Sequence, residues 1–210
     1  MNAVTAFHLI AQEAPIFLSI VTLLFIIGIC VSRLLLWSSV IMFFSLLFLF
    51  RNPIRVCSSV QRDPCTIVAP VDGKILDISL IERDPEGYRY KVSFVTSFLD
   101  VYMNRLPYAG VFTHVKYTPS CRETSCREYM DINVCAPARR SYKMRQIGGY
   151  YTRSVVCWPT EGDALGTGQT YGMILFGSYF ELFLPKTVRF AVGAGQHVLA
   201  GTTVIAHWTQ

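Results

Sequence analysis

Phe176-Gly177-Ser178-Tyr179-Phe180-Glu181-Leu182-Phe183-Leu184-Pro185 is an apolar, β-prone run with a small Gly-Ser pair near its start. A glycine inside a strand pattern weakens the strand and marks a bulge or a close backbone approach. Here it leaves the Gly177 carbonyl unshielded beside the Ser178 hydroxyl, a geometry that suits attack by the serine on its own backbone. An ordinary strand bulge is the competing reading.

The same strand texture extends outward. After Asn52-Pro53 the chain breaks into short β-branched and aromatic runs punctuated by Gly, Pro and Asp at spacings of about ten residues, which predicts a mostly β domain. Strands are expected over 66–69, 74–80, 89–94, 110–117, 141–148, 152–158, 172–176, 179–184, 188–192 and 203–206, with a short helix or loop over 97–102. Residues 120–140, polar and rich in Cys and Arg with Pro137 in their second half, read as a long exposed loop. From Val192 to Ala206, paired glycines between apolar stretches favour a tight hairpin like those of lipoyl-like barrel-sandwich domains, although no lysine stands at its tip as a lipoyl carrier requires. The expected fold class is mainly β, a β-sandwich or barrel-sandwich-like domain over 53–210.

Upstream of it, residues 1–52 form a membrane segment. Pro15 to Phe50 is almost wholly apolar apart from Arg33 and a few serines, so 15–32 and 34–50 each read as a helix. Each would reach about 26 Å, slightly short of a ~30 Å hydrocarbon core, which leaves a two-span arrangement and a re-entrant hairpin both open. Arg51, Arg55 and Arg62 follow the apolar region closely while the first thirteen residues hold no Lys or Arg, placing the C-terminal domain on the cytoplasmic side of the cell (inner) membrane. A cleaved signal peptide is not expected, because a basic n-region is missing.

The net charge of +5 favours an anionic lipid surface as partner. Nucleic acid is not expected, since no Arg/Lys block is interleaved with aromatics. Seven cysteines without CxxC spacing or a nearby His pair argue for reduced thiols and no metal site.

If Ser178 does attack, an N-to-O acyl shift replaces the Gly177–Ser178 amide with an ester. Elimination then leaves a dehydroalanine that hydrolyses to a pyruvoyl group. The keto group of such an end takes up a substrate amine as a Schiff base and withdraws electrons from a breaking bond, as PLP does elsewhere.

Four segments stand in order along the chain: Arg51-Asn52-Pro53, Pro70-Val71-Asp72-Gly73-Lys74, Asp100-Val101-Tyr102-Met103-Asn104-Arg105-Leu106-Pro107, and Phe176-Gly177-Ser178. Together with Gln146-Ile147-Gly148-Gly149, the 153–158 segment, Gly168-Gln169 and the terminal hairpin, they resemble a short bacterial-type phosphatidylserine decarboxylase proenzyme over nearly the whole chain. The resemblance implies a membrane-bound, pyruvoyl-dependent lyase that converts phosphatidylserine to phosphatidylethanolamine with release of carbon dioxide. It implies self-cleavage into a long chain (1–177) and a short chain (178–210), with Ser178 as pyruvoyl precursor and Gly177 as the acyl donor. It further implies a part for Asp72 in activating the serine, against which stands a plain Asp-Gly turn. Asn104 and Arg105 would bind substrate, Arg105 through the lipid phosphate, although a structural arginine satisfying loop carbonyls fits as well.

Two departures from the family pattern stand out. Tyr102 occupies the position where relatives usually carry histidine. Since tyrosine titrates near 10 and histidine near 6.5, its phenol is a poorer base at neutral pH by roughly 5 kcal/mol, while proton donation stays open to it. Met130-Asp131-Ile132-Asn133 also replaces an Asn-Glu-Arg-Asn-like element. The competing function is therefore a degenerate, non-catalytic lipid-binding module of the same fold. A decarboxylase for another serine-headgroup lipid, and assembly as a homo-oligomer, stay open.

Overall fold

The computed structural model describes residues 14–55, 60, 63–82, 86–120, 127–138, 140–148, 154–175 and 179–209. The chain divides into two compact units, Met1–Ile54 and Arg55–Gln210.

In the first unit, helix α1 (Ala14–Val31) is followed after one residue by α2 (Arg33–Leu49). The break falls on Ser32, whose extended backbone and side-chain oxygen, accepting from the Leu35 N–H at 3.2 Å, cap α2. Arg33, expected at the turn, is instead the first helical residue. Both helices carry exposed apolar side chains, among them Leu23, Ile29, Leu34 and Trp37. At 18 and 17 residues, neither described helix is long and apolar enough to cross a membrane.

The second unit is mainly β and antiparallel. Its strands are β1 (Thr66–Val68), β2 (Gly73–Leu80), β3 (Tyr90–Val95), β4 (Met103–Arg105), β5 (Gly110–Thr118), β6 (Tyr129–Ala136), β7 (Arg140–Ile147), β8 (Val155–Cys157), β9 (Ala164–Leu165), β10 (Thr170–Ile174), β11 (Tyr179–Leu184), β12 (Val188–Phe190), β13 (His197–Val198) and β14 (Val204–Trp208). They form an eight-stranded sheet in the order β13-β2-β3-β11-β7-β6-β5-β9 and two three-stranded sheets, β1-β14-β12 and β4-β10-β8.

The large sheet shows the two-residue alternation of a strand with one face on a core. Phe180, Leu182 and Leu184 of β11 pack inward with Val92, Phe94, Ile132, Val134 and Met144. On the opposite face Arg145 grips Asp131 through two hydrogen bonds of 2.6 and 2.8 Å, and Lys91 pairs with Glu181. Cys65, Cys135 and Cys157 are free thiols.

Ten strands stand where the sequence predicts them, within a few residues at their ends. The expected loop over 120–140 is corrected: β6 fills its second half and sits between β7 and β5. Met130, Ile132, Val134 and Ala136 alternate inward, but Asp131, Asn133 and Cys135 on the other face lower the apparent hydrophobicity of the run. Short strands β4, β9 and β13 were not anticipated either; with two or three residues each they have no room to display a period.

Candidate active site

One end of the large sheet positions Asp72, the first of the predicted site residues. Strand registers place Tyr129, Ile147, Tyr179, Val95, Lys74 and His197 in a single row across β6, β7, β11, β3, β2 and β13. The residues next to this row along the chain include Glu128, Gly148, Thr96 and Gly73. Antiparallel pairing makes all of these lead off the same end.

Asp72 stands one residue further out and is 4% exposed. Both its oxygens are engaged: Arg55 binds them through Nη1 and Nη2, the latter at 2.8 Å, and the Ala200 N–H donates to Oδ1 at 2.7 Å. Arg55 Nη1 also donates to the Ala200 carbonyl at 3.1 Å. This bidentate pairing fixes the carboxylate in direction. Asp72-Gly73 is not the turn of a hairpin, because Gly73 opens β2; its φ of +144° and the Val95 oxygen only 2.2 Å from any added Cβ admit no other residue.

The 100–107 segment runs alongside. Tyr102 is buried, its phenol donating to the Phe98 carbonyl at 2.9 Å while its own carbonyl accepts from the Ile174 N–H. In β4, Asn104 is buried with its side-chain nitrogen lacking a hydrogen-bond partner among the described residues. Arg105, also buried, is tied to Pro70 through its backbone N–H and donates from Nη1 to the Gly168 carbonyl at 2.9 Å. Burial pushes the Arg105 pKa down, the like charge of Arg55 adds to this, and Asp72 works against both. Asp72, Arg55 and Arg105 thus share one electrostatic cluster.

Phe176, Gly177 and Ser178 lie outside the described residues. The residues that bracket them are firmly held. On one side Leu175 donates its N–H to the Ser154 carbonyl at 2.8 Å and Ile174 bonds to Tyr102. On the other, Tyr179 begins β11, which pairs along its length with β3 and along Tyr179–Phe183 with β7. The short connection therefore passes from a three-stranded sheet into the middle of the eight-stranded one.

Two groups at this end escaped the sequence reading. Arg55 reads as one of several cations flanking the apolar segment, and its partner is 17 positions away. Glu128, 1% exposed, accepts from the Ser154 N–H and hydroxyl, both at 2.5 Å, and from the Tyr117 hydroxyl at 2.7 Å. Its one advance signal is a lone carboxylate directly ahead of the Met130/Ile132/Val134 alternation. Among the histidines, His114 contacts Glu161 and His207 contacts Asp63, both at exposed positions, and His197 lies exposed in β13. Among the described residues no group of three His, Cys, Asp or Glu side chains is placed to hold a metal ion.

Comparison with known proteins identifies the family. The family described as Phosphatidylserine decarboxylase matches residues 44–206. A phosphatidylserine decarboxylase proenzyme of Carboxydothermus hydrogenoformans is 35% identical over 177 residues, covering 79% of this chain and 80% of the relative. The proenzymes of Rhodopirellula baltica and Desulfotalea psychrophila are 33% and 31% identical, over 77% and 76% of this chain and 70% and 77% of the relatives. No solved structure matches the chain. With most of its length matched by the family and its relatives, this chain belongs to the phosphatidylserine decarboxylase family.

Proposed function

We propose that the chain is a self-processing phosphatidylserine decarboxylase proenzyme whose mature form converts phosphatidylserine to phosphatidylethanolamine and carbon dioxide. Family membership over residues 44–206, with Gly177-Ser178 intact, carries this reading. The Ser178 hydroxyl attacks the Gly177 carbonyl carbon, its proton passing to the amide nitrogen as the C–N bond breaks and an ester forms. Loss of the Ser178 Cα proton expels the Gly177 carboxylate, and water then displaces the nitrogen as ammonia. The products are a long chain, 1–177, and a short chain, 178–210, headed by the pyruvoyl group.

That group, once formed, supplies a carbonyl that draws electrons from the substrate bond being broken. The chain's own residues fit it. Strands β3 and β7 hold β11 on both edges, so a new terminus before Tyr179 stays in register. We assign activation of Ser178 to Asp72, whose carboxylate Arg55 holds in direction. Substrate binding falls to Asn104, with its unpartnered buried nitrogen, and to Arg105, whose charge an anionic phosphate would relieve. Tyr102 contributes a proton donor.

Residues 1–52 serve as the membrane attachment and 53–210 as the enzyme, on the cytoplasmic face of the cell membrane. Exposed Phe98 and Leu99, in the turn after β3, and exposed Leu199, beside β13, flank the same sheet end and support its approach to lipid.

Intact mass and a denaturing gel of the full-length chain test the reading directly. The wild type should yield two pieces, the shorter beginning at position 178 with a keto group. Ser178→Ala should stay whole, Ser178→Cys should process slowly through a thioester, and the processed chain should release labelled carbon dioxide from phosphatidylserine vesicles. The competing lipid-binding module draws support from Tyr102, whose phenol is engaged by Phe98. It requires binding without turnover, so carbon dioxide release removes it.

A further inference from the structure

We infer that Glu128 is a positioning residue for cleavage of the Gly177–Ser178 bond, acting through Ser154. The inference rests on the self-processing reading above and adds to it a group that the sequence motifs do not supply.

A carboxylate taken out of water persists only where hydrogen bonds replace its hydration. Among the described residues Glu128 receives three, two of them from Ser154. Ser154 in turn accepts from Leu175, the last described residue before the Gly177 side of the bond. The Glu128 carbonyl meanwhile accepts the Gly148 N–H at 2.9 Å, and Gly148 follows Ile147, the register partner of Tyr179 on the Ser178 side. Glu128 is thus linked to both strands that deliver the reacting groups, from β10 through Ser154 and to β11 through β7.

Gly148 reinforces the point. A Cβ there would lie 2.5 Å from the Ser154 hydroxyl and 2.6 Å from Glu128 Oε1, so a side chain at 148 would drive the pair apart. An acyl shift needs the attacking oxygen and the carbonyl carbon held within near-attack distance, and displacement of either strand lowers the rate steeply. Two hydrogen bonds to one side-chain oxygen, from the N–H and the hydroxyl of the same residue, fix Ser154, and with it the path of Leu175.

The test is the time course of self-cleavage of freshly synthesised full-length chain in detergent, read on denaturing gels between pH 6 and 9, with and without hydroxylamine. Melting temperatures are measured for each variant in a Ser178→Ala background. Glu128→Ala should cleave about tenfold more slowly or worse, without rescue by hydroxylamine, which attacks only the ester formed after the shift. Glu128→Gln keeps an acceptor for Ser154 and should stay within about threefold of wild type with the same pH profile.

Wild-type cleavage by Glu128→Ala would overturn the inference. So would full rescue by hydroxylamine, or a Gln variant as slow as Ala, since the charge and not the hold on Ser154 would then matter. Should Glu128→Ala fail to fold, Ser154→Ala decides: it loses one hydroxyl and should slow cleavage several-fold at a nearly unchanged melting temperature, and a wild-type rate overturns the inference. Failure of the underlying reading looks different, because the wild-type chain itself would then remain whole.

Discussion

Tyr142 and Tyr171 are fully enclosed in the core, and burial pushes both phenol pKa values well above 10.0. Tyr142 donates to the Tyr108 carbonyl, while the Tyr171 hydroxyl lies beside the Gln146 side chain. Their raised folded-state values give a definite sign. Below pH 10 both states hold the phenolic proton and stability is unaffected. Above it only the unfolded chain ionises, so stability falls by about 1.4 kcal/mol per pH unit for each tyrosine until the folded value is reached. Urea midpoints of the Ser178→Ala chain should decline from pH 10 upward, and Tyr171→Phe should reduce that slope. Burial likewise pushes the Cys157 thiol up to about 12, so it stays protonated at neutral pH. At this scale Asp72, Asn104 and Arg105 drew attention because each sits inside a contiguous pattern, and all three are buried. Arg55 and Glu128 were not, since their meaning depends on partners 17 and 26 positions away that only the fold brings near.

β11 is the element on which processing bears most directly. It matches the predicted 179–184 span at both ends, because aromatic residues and leucines fill it and Pro185 cannot extend a ladder. Paired on both edges and carrying Phe180, Leu182 and Leu184 into the core, it should hold the 178–210 chain in place after the backbone is cut. A C-terminal affinity tag should therefore recover the 1–177 chain under native conditions, with separation only in denaturant; recovery of the short chain alone would contradict the pairing. β6 shows the opposite case. Its buried alternation was masked by charged and polar residues whose role, pairing Asp131 with Arg145 across to β7, becomes visible only once the neighbouring strand is known.

Across the whole molecule, the division between an apolar helical N-terminus and a β-rich remainder was plain from composition. The grouping into one large and two small sheets was not, since it depends on pairings between distant strands such as β1 with β14. The exposed apolar side chains of α1 and α2 predict that the full chain sediments with membranes and is released by detergent, not by high salt. Release by salt alone would mean that surface charge provides the attachment. In sequence, Gly177-Ser178 falls between β10, of a small sheet, and β11, at the centre of the large one, and this order carries a temporal consequence. The strand that follows the bond comes late in synthesis, and its seat between two earlier strands exists only once those have folded. A chain that severs itself at that junction certifies its own completion, so truncated or misassembled copies would remain inert precursors.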